Sequence, residues 1–201
     1  LTPGAKLSED EVGGIFEVSR TTTRAALQML AHEQLVAIEP NRGAFVASPS
    51  IREAREVFEA RALLEPRTAR SAAERATPAD IALLREHIDA EHAAMREGDS
   101  GRALMLSGEF HIQIAKIADQ DTIEDFIRQL ISRSSLVIAL YWRRQNALCE
   151  SHAHDALIEA LARGDGIAAE ELMSSHLVDL LSLLDLRQTP PGSLSLKDAL
   201  A

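Results

Sequence analysis

The 201 residues predict a mainly α protein: an N-terminal winged helix-turn-helix followed by an all-helical bundle. Three observations carry this expectation. Within residues 8–46 the apolar period changes, giving two short helical segments and then two short alternating runs. From residue 50 to about 186 the three- and four-residue steps of helices recur and no strand pattern intervenes. The breaks between segments carry the residues that start and stop helices.

In the head, Ser8 and Glu11 have capping-box spacing and start a helix near Glu9, with Val12, Ile15 and Phe16 as its apolar face. Gly13 and Gly14 weaken this helix or permit close packing. The break at EVSR ends it, and Ser19 caps a second helix whose stripe is Ala26, Leu27 and Leu30, with Ala31 beside them. LVAIE and GAFVA flank the turn PNRG as a two-stranded wing. Beyond it, IREAREVFEARALLEPRTARSAAERA reads as one long helix kinked at Pro66. Thr77 caps the next, with Pro78 first in the helix, Asp80 as box partner and Gly98 after its end. Four more segments complete the bundle, those around His111, Arg133, His154 and His176. The expected organisation is a DNA-binding domain over 1–49, an all-helical domain over 50–186 and a mobile tail over 187–201.

Apolar residues make up 46 % of the chain and charged residues 26 %, ordinary values for a globular protein. With 3 % aromatic residues, stacking platforms for single-stranded nucleic acid are not expected. No apolar run is long enough for a transmembrane helix, and LTPGAKLSEDE lacks the layout of a signal peptide. The single cysteine, Cys149, cannot form an internal disulfide and fits a reducing, cytoplasmic setting. The net charge of −10 lies mostly outside the head, which has four basic and six acidic residues among its first fifty. That balance leaves room for a few placed arginines.

Those arginines sit where a helix-turn-helix reads DNA, at the start of its second helix. Arg20 and Arg24 are one turn apart and can reach guanine edges or phosphates. Ser19, Thr21, Thr22 and Thr23 are short hydroxyl donors suited to phosphates. Arg42 at the wing tip can enter the minor groove, with Gly43 allowing close approach. The alternative is a solvated helix with two surface arginines.

In the helical part, His111 shares a face with Leu104, Ser107, Ile114, Ala115 and Ala118. His154 lies with Leu157, Ile158 and Leu161, and His176 with Leu172, Met173 and Leu180. Three separate helices thus each turn one histidine inward. Singly, each reads as a hydrogen-bonded core histidine. Together they also suit a divalent metal, which takes one nitrogen from each at roughly 2.0–2.1 Å, since burying several imidazoles without partners is costly. Zinc is the first choice, with nickel or manganese as alternatives. His152 is two residues from His154 and points elsewhere, and Cys149 is a soft ligand, a redox sensor or neither.

The stretch PGAKLSEDEVGGIFEVSRTTTRAALQMLAHEQLVAIEPNRGAFVASPS resembles the DNA-binding domain of GntR-type bacterial transcriptional regulators. EARALLEPRTARSAAERA, FHIQIA, HDALIEALARGD and SSHL are similar, in order, to the FadR-like branch with an FCD ligand-binding domain. The resemblance spans residues 3 to about 186. It implies an FCD-type bundle, convergence of His111, His154 and His176, and DNA contact by Arg20, Thr21, Thr22, Arg24, Arg42 and Gly43. It also implies a carboxylate one turn before the first histidine, where this chain has Ser107. Water, Ser107 through a water, or an effector's carboxylate would then complete the shell.

Three departures stand out: no helix precedes the PG turn, so the head is expected to be trimmed; Asp10 replaces a basic or neutral residue; and Glu17 replaces a glycine. Members of the family commonly sense small organic acids, which gives a carboxylate effector, with Arg61 and then Arg133 as its expected partners; the alternative for both is a structural, salt-bridged arginine. The leading function is a homodimeric, ligand-responsive regulator, a repressor, on a short palindromic operator in double-stranded DNA. A metal-dependent enzyme is the alternative, but Glu109 and Glu150 are poorly placed as general bases and an enzyme is not expected. A metal-free structural module is the third.

Overall fold

The structure, a computed structural model, describes residues 2–142 and 151–187. Expectations for Cys149, Glu150 and the tail beyond residue 187 fall outside these residues. The described chain runs β1(Lys6–Leu7), α1(Glu9–Phe16), α2(Arg20–His32), β2(Val36–Glu39), β3(Gly43–Val46), α3(Ile51–Ala73), α4(Pro78–Glu97), α5(Ser100–Ile117), α6(Asp121–Tyr141), α7(Ser151–Ala162) and α8(Gly166–Ser182). It forms two compact units, one over 2–54 with 136–142, the other over 55–135 with 151–185.

In the first unit, α1 packs on α2 and the strands form a sheet in the order β1-β3-β2, all neighbours antiparallel. The sheet has three strands rather than the expected two. Lys6 and Leu7 pair with Phe45 and Ala44, a two-residue strand too short to leave a period in the sequence. Ser19 caps α2 as expected, accepting from the Thr22 amide. Ser8 precedes α1 in extended conformation but its side chain makes no capping bond.

The expected apolar faces of the two head helices are corrected in part: Val12 and Ala31 do pack against the core of this unit. Ile15 and Phe16 are exposed, and the residue of α1 that is buried is Gly13. A Cβ there would lie 3.1 Å from the Val18 carbonyl and 3.2 Å from Thr23 Oγ1, so the missing side chain is what lets α1 and α2 approach. On α2 the buried residues are Thr23 and Leu27, not Ala26 and Leu30. Leu27 packs with Ala5, Leu7, Val36, Ala44 and Val46. Glu17 follows α1 in the left-handed region at φ 54, the conformation for which glycine is the unstrained choice.

In the second unit, α4 packs on α5 and α7, and α7 on α8. Thr77 and Asp80 form the complete capping box. Asp99 and Asp165 cap α5 and α8 by accepting from Arg102 and Ala168 amides. The core joins Ala69 and Ala72 of α3, Leu84 and Ile88 of α4, Phe110 and Ile114 of α5, Leu157 and Leu161 of α7 and Met173 and Leu177 of α8. Pro66 lies inside a continuous α3. No helix among the described residues is long and apolar enough to cross a membrane.

Candidate nucleic-acid interface and metal centre

The start of α2 holds its side chains at the surface because the helix packs through Thr23 and Leu27, leaving Arg20, Thr21, Thr22 and Arg24 exposed. Ser19 Oγ sits 2.9 Å from Thr22 Oγ1. Thr23, expected among the DNA-facing hydroxyls, turns inward instead: it is 2 % exposed and its hydroxyl donates to the Ser19 carbonyl at 3.2 Å. Each arginine of this surface meets an acid. Both oxygens of Asp10 accept from Arg20, and both of Glu9 accept from Arg24 at 2.8 Å. Arg42 pairs with Glu39 beside the wing turn and lies over the Phe45 ring. Gly43 has φ 102, which favours glycine.

The hydrogen bonds to the guanidinium groups hold the Glu9 and Asp10 carboxyls below the usual range, although both acids are exposed. Asp10, a departure in the sequence, thus partners Arg20, the first of the arginines expected to read DNA. Exposed pairs of this kind are worth little in stability and exchange readily.

In the second unit, α5, α7 and α8 bring His111, His154 and His176 together. All three are buried, and one ring nitrogen from each lies within 4.8 Å of the others. The ring centroids are 4.8–5.5 Å apart. The Nε2 atoms of all three are buried without a hydrogen-bond partner. Such orphans are rare unless an ion or water completes them, so the donor set fits a divalent cation: soft enough for imidazole, small in span and shielded from water. These three histidines could hold a metal.

Two buried carboxylates stand behind the rings. Glu65 of α3 lies 2.5 Å from His111 Nδ1, and Glu91 of α4 lies 3.2 Å from His154 Nδ1. Glu65 is also ion-paired with Arg61, whose Nη1 donates to Ser134 Oγ at 3.0 Å. Burial opposes ionisation of Glu65, but the Arg61 and His111 charges and hydrogen bonds overcome it and hold the carboxyl well below its ordinary range. Burial also pushes His111 down, against the pull of Glu65, and takes His176 down to about 2 with help from its neighbouring rings. Lowering favours the neutral form of His111 and His176, and a neutral imidazole is the form that binds a metal.

Residues 1–46 match the bacterial regulatory proteins of the gntR family, and residues 56–179 match the FCD domain. The chain belongs to the GntR family of transcriptional regulators, in the branch with an FCD domain. It is 28 % identical over 184 residues to the Nta operon transcriptional regulator of Aminobacter aminovorans, spanning 90 % of this chain and 87 % of that protein. It is 30 % identical to the HTH-type transcriptional repressor RspR of Escherichia coli, spanning 90 % of this chain and 79 % of RspR. A GntR regulator from Rhodococcus sp. RHA1 superposes with a TM-score of 0.77 at 27 % identity, covering 90 % of this chain and 87 % of that one. These families and relatives are transcriptional regulators, not enzymes, and GntR regulators bind double-stranded DNA.

Within that family frame, the remaining expected site residues take distinct places. Ser107 is half-buried one turn before His111. Arg61 is 2 % exposed and held by Glu65 and Ser134, with the Phe58 ring beneath its guanidinium. Arg133 is half-buried. Neither Glu65 nor Glu91 was singled out in the sequence, yet each is in step with buried apolar residues: Glu91 continues Ile81, Leu84 and Ile88, and Glu65 continues Ala54, Val57 and Phe58 through Arg61. An acid in step with a buried stripe was the available signal.

Proposed function

We propose that this GntR regulator is a ligand-responsive, homodimeric, cytoplasmic repressor that senses a small organic acid at a metal held by His111, His154 and His176. The observation that carries the reading is the convergence of three buried histidines, one ring nitrogen of each within 4.8 Å of the others, whose Nε2 atoms have no hydrogen-bond partner. The metal is zinc, with nickel or manganese as alternatives. It would supply a positive centre, with open positions, to which a carboxylate is drawn. The protein supplies the rest: three buried rings, a dry surround and the Arg61 guanidinium behind Glu65. Ser107 in place of a carboxylate leaves the centre one negative charge poorer, which favours an anionic effector. Arg61 keeps N–H groups beyond those given to Glu65 and Ser134, and Arg133 offers a second fork for the effector's oxygens.

The DNA-reading surface is Ser19, Arg20, Thr21, Thr22 and Arg24 of the second head helix with Arg42 and Gly43 of the wing, in a domain ending near residue 49. On a palindromic operator two such heads read two half-sites. Glu9, Asp10 and Glu39 release their arginines as phosphates and bases replace them. Effector binding in the helical domain, residues 50–186, changes how well the paired heads match their half-sites.

The test is operator binding, on duplexes selected from random sequence, with zinc-loaded and chelator-treated protein and a panel of hydroxy-, keto- and sugar-derived acids. Release by one acid in the zinc-loaded protein alone is expected. Release that is identical after chelation would overturn the metal-based sensing.

A further inference from the structure

We infer that Glu91 and Glu65 are positioning residues for the metal ligands: each accepts the Nδ1 proton of one histidine, so that the Nε2 lone pairs of His154 and His111 face the common centre. This rests on the metal reading above and adds the residues that make it work.

A neutral imidazole carries one proton on either of two nitrogens, and only the other nitrogen can bind a cation. Nothing in the histidines themselves selects between them. In this bundle the selection comes from two other helices. Glu65 of α3 lies 2.5 Å from His111 Nδ1, and Glu91 of α4 lies 3.2 Å from His154 Nδ1, while both Nε2 atoms are left without a partner. An ionised carboxylate accepts and cannot donate, so with Glu65 and Glu91 in that form the proton in each contact belongs to the ring nitrogen. The lone pairs therefore sit on the orphaned Nε2 atoms. Carboxylates in this role also raise ligand basicity and fix ring orientation, and their loss typically weakens metal binding about 10–100-fold.

The two acids are held differently. Glu65 is fixed by Arg61, which Ser134 fixes in turn, so that chain is charge-balanced without a metal. Glu91 is 0 % exposed, pairs with no Lys or Arg among the described residues and has one oxygen, Oε1, without a partner. A buried carboxylate in that state is costly. A cation on the far side of the His154 ring offsets it, which ties Glu91 to the metal rather than to the packing of the bundle. His176 has no carboxylate partner among the described residues. It is a ligand whose orientation α8 alone sets.

The experiment compares the full chain with its Glu91→Gln variant. Gln keeps the size of the side chain and an accepting oxygen but loses the charge, and it strands no buried arginine, as Glu65→Gln would. Zinc affinity is read by competition with a chromophoric chelator, beside the melting temperature of the metal-free protein. The expected result is a loss of about 10–100-fold in zinc affinity with metal-free melting not lowered. Affinity within twofold of the parent would overturn the role of Glu91, and so would a loss of affinity that merely tracks a lowered metal-free melt. The same protein labelled with 15N at histidine reports the tautomers directly, without any substitution. His111 and His154 protonated at Nδ1 is the expected pattern, and either ring protonated at Nε2 in the metal-free parent would overturn the proposal. A parent that binds no zinc, nickel or manganese would instead overturn the metal reading, and the tautomers would separate that failure from this one.

Discussion

Replacing Arg61 with Met removes a charge from the interior while keeping a long, apolar side chain. Arg61 and Glu65 are each 2 % exposed, and the guanidinium gives hydrogen bonds to both Glu65 oxygens and to Ser134. The variant leaves the carboxylate facing His111 alone and the Ser134 hydroxyl without that donor. Breaking a buried pair by removing one partner costs about 3–5 kcal/mol. For a chain of this length each kcal/mol lowers the melting temperature by about 2–4 °C, so a drop of roughly 6–20 °C is expected. Thermal melts of the metal-free proteins at neutral pH, followed by circular dichroism, give the number.

The pH dependence carries a sign. Glu65 is held below its unfolded value, so its contribution is fully present above about pH 4.3 and is lost as pH falls through the folded value. The gap between parent and variant therefore narrows in acid. A melt lowered by less than about 2 °C at neutral pH would refute the reasoning, since it would mean that the interior carries the Glu65 charge without Arg61.

The double variant Arg20→Ala, Arg24→Ala should lose about 2–6 kcal/mol of binding to a selected operator, since each bidentate arginine is worth about 1–3 kcal/mol; undiminished specific binding in a gel-shift titration would sink the reading surface. Asp10→Asn frees Arg20 and removes a charge that faces phosphate. Binding to random duplex should rise a few-fold with a salt slope steeper by about one, and an unchanged slope would show that Asp10 does not restrain Arg20. Thr77→Ala removes the capping box of α4 and should cost about 0.5–2 kcal/mol in urea unfolding. No change there would mean that packing alone sets the start of that helix.

Much of the fold was legible because its signals are local. Ser19 and the Thr77–Asp80 box mark helix starts through bonds that span three residues, and the helical period of the bundle follows from its buried faces. The strand Lys6–Leu7 was not legible, because its partners Phe45 and Ala44 lie almost forty residues away. On the faces of the head helices Val12, Leu27 and Ala31 pack as the spacing suggests, while Ile15, Phe16, Ala26 and Leu30 do not, for a related reason. Close packing at Gly13 rotates the contact onto Thr23 and leaves Ile15 and Phe16 outside, against what apolar spacing alone suggests.

At the centre, the sequence carried the three histidines but not their partners. An arginine and a glutamate one turn apart look like a surface pair, and only burial shows that Arg61 and Glu65 form the back of a site. For Arg61 the spacing leaves an effector partner and a structural, salt-bridged arginine both open, because it says nothing of what occupies the donors; Glu65 and Ser134 occupy three of them. Ser107 was legible as a missing carboxylate, and among the described residues no other acid joins the ligating group.

The central claim is that His111, His154 and His176 hold a divalent metal, and its most direct test is metal content. Tag-free protein expressed without added metal, and its His154→Ala variant, would be compared by elemental analysis after gel filtration. The account predicts about one divalent ion per chain in the parent and almost none in the variant. Equal metal in both, or none in either after incubation with zinc, nickel and manganese, would contradict it.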